Sequence, residues 1–385
     1  MEKLRNLFAR KDRQYGMVVV LVLIILLFQA LTGGVLLKPL NVTNVILQNS
    51  YIMVLAIGML LTILTGNIDL SVGSIAAFVG AVSGVLAIGN KMDPILAIVV
   101  SLVIGAVIGA WNGFWIAYVR IPAFIVTLGS QMIFRGLTMV ILQGQTLSPF
   151  PSSYQIIGSG FVPDLFSGTL NMVAVFAGVF CMVVYSVSEI LKRRKQKAYE
   201  IEVENRYSFY LKLLLVNAAF ILFTYWMAAY QGIPTVLVLL AALIVLYSFI
   251  TGHTIIGRHI YAFGGNEKAA RLSGIRTKKV FFWVYVNMGV LSALAGIVYA
   301  SRLNAATPKA GTNFELDAIA ACYIGGASAS GGIGTVAGAI IGSLVMGILN
   351  NGMSIMGIGV DWQQAIKGFV LILAVAFDIF SKKER

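Results

Sequence analysis

The chain has 385 residues, 59% of them hydrophobic and 11% charged, with 28 Lys and Arg against 15 Asp and Glu. A soluble domain carries about 25% charged residues, so this composition, with a mean hydropathy of +0.90, excludes a soluble globular protein. The surplus of +13 is scattered between apolar runs and does not form one basic face, which excludes nucleic acid as the partner and reads as a topology signal.

Residues 1–16 carry Lys3, Arg5, Arg10, Lys11 and Arg13 and lead directly into an apolar run without a small-residue cleavage site. They read as a cytoplasmic tail before an uncleaved first span. Apolar runs come next near 17–36, 45–65, 70–89, 94–114, 123–142, 169–190, 208–230, 233–251, 281–300, 316–328, 333–353 and 362–381. Each full crossing needs about 20 apolar residues. The runs lack the alternation of a membrane β-barrel and must be helices. The predicted fold is an all-α polytopic membrane protein with about ten transmembrane helices and one or two broken or re-entrant pieces. Of the 28 basic residues, 22 fall in the tail, at Arg120, in 192–212, in 258–279 and at 382–385. That bias predicts both termini on the cytoplasmic side.

The first polar interruption is Asn67-Ile68-Asp69-Leu70-Ser71. A carboxylate within a span is costly, by about 2.5–3.5 kcal/mol on insertion scales, so Asp69 is expected to face protein or water. It is placed to accept from the first N–H groups of the next helix. Glu315 and Asp317 hold a comparable place before a small-residue helix. Asn67, Asp69, Ser71, Glu315 and Asp317 are the candidates for the translocation path; capping, substrate contact and a proton relay are all compatible with their chemistry. A glycine-rich span comes after each interruption, at 105–110 and 338–343, and the two halves read as an inverted repeat.

Trp111, Trp115 and Tyr118 beside Arg120 read as an interfacial belt. Cys181 and Cys322 read as small buried hydrophobes. Residues 191–207 form a charged cytoplasmic loop that includes Glu202 and Glu204. His253 and His259 have no metal-site spacing around them, and the GxxxxGK[ST] pattern is absent. No cofactor is expected in this chain, nor any catalytic or metal site.

The polar stretch 264–275, within a cytoplasmic loop at 252–280, reads as a short surface helix. Asn266 offers an N-cap and Gly274 a stop. A chain that only had to turn around would need a few residues; a capped helix held at the surface suits docking to a soluble partner. Its candidate residues are Gly264, Gly265, Asn266, Glu267, Ala269, Ala270, Arg271, Ser273 and Gly274.

GGNEKAARLSGI at 264–275, the stretch from AGIVYASRLNAATPKAGTNFELDAIAACYIGG at 295 onward, WQQAIKGFVLILAV at 362–375 and NIDLSVGSIAAFVGA at 67–81 together resemble the monosaccharide-type permease subunits of bacterial ABC importers. The resemblance runs from about Asn44 to Asp378. It implies a single permease domain over 1–385 in the bacterial inner membrane, working as a homodimer among membrane lipid. A cytoplasmic ATP-binding subunit would hold ATP–Mg, and an extracytoplasmic sugar-binding protein would deliver the substrate. The coupling segment maps onto 264–275 and the pore-side breaks onto 67–73 and 315–320. An ABC permease for branched-chain amino acids or nucleosides, and a proton-coupled secondary transporter, are the alternative readings.

Overall fold

The computed structural model describes residues 13–383 apart from 167, 201, 202 and 204, and the side chains of 16–376 within that range. The tail residues Lys3, Arg5, Arg10 and Lys11, the side chain of Arg13, and Glu202 and Glu204 lie outside the described residues. The chain divides into two units: Met1–Leu36 with Val45–Ser159 and Val236–Arg385, and Leu37–Asn44 with Gly160–Thr235.

In the first unit the helices are α1 (Arg13–Leu31), α2 (Pro39–Leu64, whose first turns group with the second unit), α3 (Val72–Gly84), α4 (Pro94–Phe114), α5 (Ala123–Leu142) and α6 (Ser152–Ser159). The second unit holds α7 (Met172–Ala198) and α8 (Arg206–Ala228). The first unit resumes with α9 (Thr235–His253), α10 (Ile255–Gly265), α11 (Glu267–Leu272), α12 (Thr277–Leu303), α13 (Phe314–Ile324), α14 (Val336–Ile355) and α15 (Val360–Lys383). Wider turns extend α3 over Val85–Gly89 and α4 over Trp115–Val119.

Among the described residues nine helices are long and apolar enough to cross a membrane: α2, α3 with its extension, α4 with its extension, α5, α7, α8, α9, α12 and α14. The apolar part of α1, Gly16–Leu31, is shorter. Every apolar run of the sequence meets a helix. The run at 316–328 yields only the 11 residues of α13, about 16 Å of helix at 1.5 Å per residue, which is half a crossing.

Local chemistry sets many of the helix starts. Asp93 accepts from the N–H groups of Ile95 (3.0 Å) and Leu96 (3.1 Å) with Pro94 in the first turn of α4, the arrangement favoured at an N-terminus. Thr254 and Thr335 cap α10 and α14 through Gly257 N–H (3.2 Å) and Gly338 N–H (3.0 Å). The second half of α2, from Ile52 to Leu64, is apolar on nearly all sides, as a central helix must be, and 83% of the most apolar window of α2 is buried, against 6% for α7.

The elements α2, α3, α4 and α5, of 26, 13, 21 and 20 residues, are echoed later by α12, α13, α14 and α15, of 27, 11, 20 and 24. In each set a long helix gives way to irregular chain, then a short helix, then a glycine-rich one. Those glycines bring backbones together, as small residues do between membrane helices. A Cβ on Gly105 would strike Ala293 and the Gly289 carbonyl across the α4–α12 contact, and one on Gly342 would strike the Ala321 carbonyl across α13–α14.

The charged segment is helical over 191–198, the last two turns of α7; Glu189 on α7 holds Lys212 of α8 at 3.0 Å, and Arg193 lies 4.3 Å over the ring of Phe209. Within 252–280 the chain is ordered into α10, α11 and the start of α12. Cys322 is buried, but Cys181 lies exposed on α7, because hydropathy alone does not separate a lipid-facing position from a core one.

Candidate functional site

Helix α11 forms where the sequence places it. Asn266 Oδ1 accepts from Ala269 N–H at 3.0 Å. At the other end Gly274, with φ +86°, donates to the Arg271 carbonyl (3.1 Å) while Ile275 N–H reaches the Ala270 carbonyl (3.1 Å). That pair of bonds is a Schellman stop. Ala270 is buried and anchors the helix; Glu267, Lys268, Ala269, Arg271 and Ser273 are exposed. Leu272, absent from the sequence-based candidates, is 87% exposed, and an exposed large apolar side chain beside charges is what a docking surface offers.

A cavity of about 620 Å³ opens beside α11. Arg120, Arg271, Arg276, Lys278 and Lys279 line it with one acid, Glu267, so the surface is complementary to an acidic partner. Arg120 reaches it because the chain turns there in the left-handed region, φ +68°, before Pro122 starts α5. Asn67, from the first polar break, lines the same cavity, and its amide donates to the Thr65 carbonyl at 2.9 Å.

Behind α11 the chain is joined backbone to backbone. A Cβ on Gly264 would fall on the Leu64 carbonyl oxygen, at the end of α2, and 2.6 Å from Gly332 N. Gly332 N–H itself donates to Leu64 O at 2.9 Å. A Cβ on Gly331 would meet Gly66 N and the Gly264 carbonyl. The Tyr261 hydroxyl of α10 donates to the Gly334 carbonyl at 2.7 Å. Three segments distant in sequence meet here: the last turn of α10, the break after α2 and the loop after α13.

The two polar breaks also meet each other. A Cβ on Gly73, in the first turn of α3, would strike the Gly311 carbonyl and the Glu315 carboxylate. Gln131 of α5 donates to Glu315 Oε1 at 3.2 Å, and Arg135, one turn on, donates to the carbonyls of Ala310 (2.5 Å) and Pro308 (3.4 Å). Glu315 and Asp317 lie inside the first turn of α13, not ahead of it. Asp317 is 3% exposed and pairs with Lys367 of α15 at 2.9 Å.

Asp69 caps differently from the expectation. Its carboxylate accepts from Ser71 N–H (2.8 Å) and Ser71 Oγ (2.5 Å). Ser71 is the N-cap residue of α3, in helical conformation and without a side-chain cap. Asp69 sits too early in the chain to reach the free helical N–H groups beyond it. The Ser71 hydroxyl in turn accepts from Asn112 Nδ2 at 3.0 Å, and Asn112 Oδ1 accepts from Ser130 Oγ at 2.6 Å. This buried chain ties the first break to α4 and α5. Its members Asn112 and Ser130 carry no signal in the sequence, since single polar residues in apolar helices reveal a partner only when the fold pairs them.

A family profile described as branched-chain amino acid transport system / permease component matches residues 41–375. The xylose transport system permease protein of Haemophilus influenzae is 36% identical over 370 residues, covering 96% of this chain and 97% of that protein. Its namesake in Escherichia coli K12 is 37% identical over 373 residues, covering 96% and 92%. The ribose import permease protein of Bacillus subtilis is 35% identical over 345 residues, covering 89% and 85%. No solved structure matches the chain. With a helical membrane fold in which a capped surface helix is joined to two polar breaks, and a profile match over most of its length, the chain belongs to the family of branched-chain amino acid transport system permease components.

Proposed function

We propose that this chain is the permease subunit of an ABC importer and forms the membrane path for a monosaccharide, a pentose or hexose, in the bacterial inner membrane. The relatives named for xylose and ribose, matched over nearly their whole lengths, support that substrate class. The observation that carries the mechanism is the joint at Gly264, where the segment bearing α11 is wedged against Leu64 and Gly332.

In this reading 264–274 docks on a cytoplasmic ATP-binding subunit, which holds ATP–Mg; the permease itself has no cofactor and catalyses nothing. Both termini, 191–207 and 252–280 face the cytoplasm, where the positive-inside bias puts them. Two copies supply the two halves of the pore, lipid surrounds them, and an extracytoplasmic sugar-binding protein loads the path. When ATP closes the ATPase pair, α11 moves. The close-packed joint passes that motion to the ends of α2 and α13, because packed backbones shift between discrete arrangements and do not deform smoothly. Asn67, Asp69, Ser71, Glu315 and Asp317 then work at the breaks as wall and brace of the path. A neutral sugar requires only weak contacts that differ between the two states, since a tight site would trap it.

Deletion of 266–273 tests the reading. Co-purification with the ATPase and uptake of D-xylose or D-ribose by reconstituted complexes are expected to be lost while membrane insertion is kept. Uptake that survives the deletion refutes the coupling role.

A further inference from the structure

We propose that a cavity of about 170 Å³ between α2, the start of α13, α14 and the start of α15 is a binding station for one monosaccharide ring, and this rests on the sugar-permease reading above. Tyr51, Asn313, Asp317, Gln363, Gln364 and Lys367 supply its polar and aromatic lining. At about 30 Å³ per water the space holds roughly five or six waters, the scale of a single sugar ring and too small for two.

The lining suits a neutral polyol. Each sugar hydroxyl both donates and accepts. Here carboxylate, ammonium and three side-chain amides converge, with both donors and acceptors among them. Asp317 and Lys367 neutralise each other, so the cavity offers no net charge to an ion. Yet the pair does not saturate itself. Lys367 Nζ lies 2.9 Å from Oδ1 and 3.2 Å from Oδ2 of Asp317. A carboxylate has about four lone-pair sites, and one ammonium does not fill them, so the pair can still accept from a ligand hydroxyl. Tyr51 is held by stacking on Phe314, with centroids 4.0 Å apart, and by edge contact with Tyr299 at 5.4 Å. It adds the aromatic surface on which the C–H face of a pyranose rests.

The place in the fold also fits. Helix α14 begins next to the Gly331–Gly332 joint and runs its 20 residues, about 30 Å, away from α11 before α15 turns back. Gln363, Gln364 and Lys367 lie in the first two turns of that returning helix. The cavity is therefore in the half of the unit remote from the coupling helix, the half that receives a sugar handed over from outside. It is open there, since Gln364 is exposed and Leu316 is 43% exposed.

The test uses the complete importer, reconstituted with its ATPase and saturating sugar-loaded binding protein, and radiolabelled D-xylose and D-ribose as probes. Gln364→Ala, at an exposed position that folding does not depend on, is expected to slow sugar uptake about tenfold while basal ATP hydrolysis stays within about twofold. Asp317→Asn is expected to act in the same direction. In a Cys181→Ser background, Gln364→Cys is expected to react with maleimide more slowly when D-xylose is present. Uptake by Gln364→Ala within about twofold of the parent, with labelling indifferent to sugar, overturns the assignment of this cavity. A parent complex that imports L-leucine and neither sugar overturns the sugar reading itself, and the station with it.

Discussion

Substituting Gly264 by Ala probes the joint behind the coupling helix most directly. The added methyl would lie on the carbonyl oxygen of Leu64 and 2.6 Å from the amide nitrogen of Gly332. Both are backbone atoms, so neither can rotate away. Relief requires the end of α10 to lift off, which separates it from the 2.9 Å bond joining Gly332 N–H to Leu64 O or breaks that bond. Overpacking of this kind costs about 1–3 kcal/mol, and a lost hydrogen bond about 1 more. The joined arrangement is thus disfavoured by about 2–4 kcal/mol, between roughly thirtyfold and a thousandfold in the balance of joined and separated forms. The neighbouring Gly265→Ala is the control, because its Cβ meets nothing within 4 Å and Ala in a helix gains up to about 1 kcal/mol over Gly. The assay is the number of sugars moved per ATP hydrolysed by reconstituted complexes, with heat tolerance of the solubilised permease beside it. Gly264→Ala is expected to lower both, and Gly265→Ala neither. Equal behaviour of the two variants would refute the idea that this contact transmits motion.

Other consequences are open to measurement. Asn266→Ala removes the 3.0 Å cap bond of α11, worth about 1 kcal/mol, and is expected to weaken ATPase binding about fivefold in a titration of the two subunits; unchanged affinity would mean that binding itself shapes the helix. Asn112→Leu takes away both the donor to Ser71 and the acceptor for Ser130, at about 1–3 kcal/mol, seen as earlier loss of the monodisperse peak on heating; Asn112→Leu with Ser130→Ala should cost less than the sum of the two. Lys367→Met strands the buried Asp317 carboxylate, at about 3–5 kcal/mol, and Asp317→Leu, which leaves the partly exposed Lys367 alone, is expected to cost less, whereas the double variant is expected to regain folding and not uptake. A double variant as unstable as the singles would show that the pair is not an isolated unit.

The helices were legible because each apolar run is long enough to declare itself, and the punctuation was legible where it is local. Asn266 and Gly274 bound α11 through contacts three to five residues away, within reach of a sequence pattern. The features that stayed hidden depend on pairing across tens to hundreds of positions. Nothing around Leu64 says that its carbonyl will receive Gly332, and nothing around Asp317 says that Lys367, 50 residues on, will be its partner. Asp69 shows the intermediate case. Its need for a donor comes from its placement, but the donor proved to be Ser71, backed by Asn112 on another helix. The exposure of Leu272 was not legible, because which face a six-residue helix buries depends on what packs behind it, and here only Ala270 is buried. Cys181 was misplaced for a related reason: in a membrane, apolar surroundings are found outside the protein as well as within it.

The hairpin of α7 and α8 begins and ends at adjacent points. Thr235 N–H donates to the Gly160 carbonyl and Val162 N–H to that of Ile233, each at 2.9 Å, so the chain leaves and returns through one short backbone clasp. Between those points it makes two crossings, an even number, and a segment that goes out and comes back leaves every later helix facing the way it did before. Such a stretch behaves as a cassette. It can be lengthened, exchanged or dropped from a gene without inverting α9 or any helix after it, which makes its tip the place in this protein where a fused domain or reporter costs the rest of the chain least.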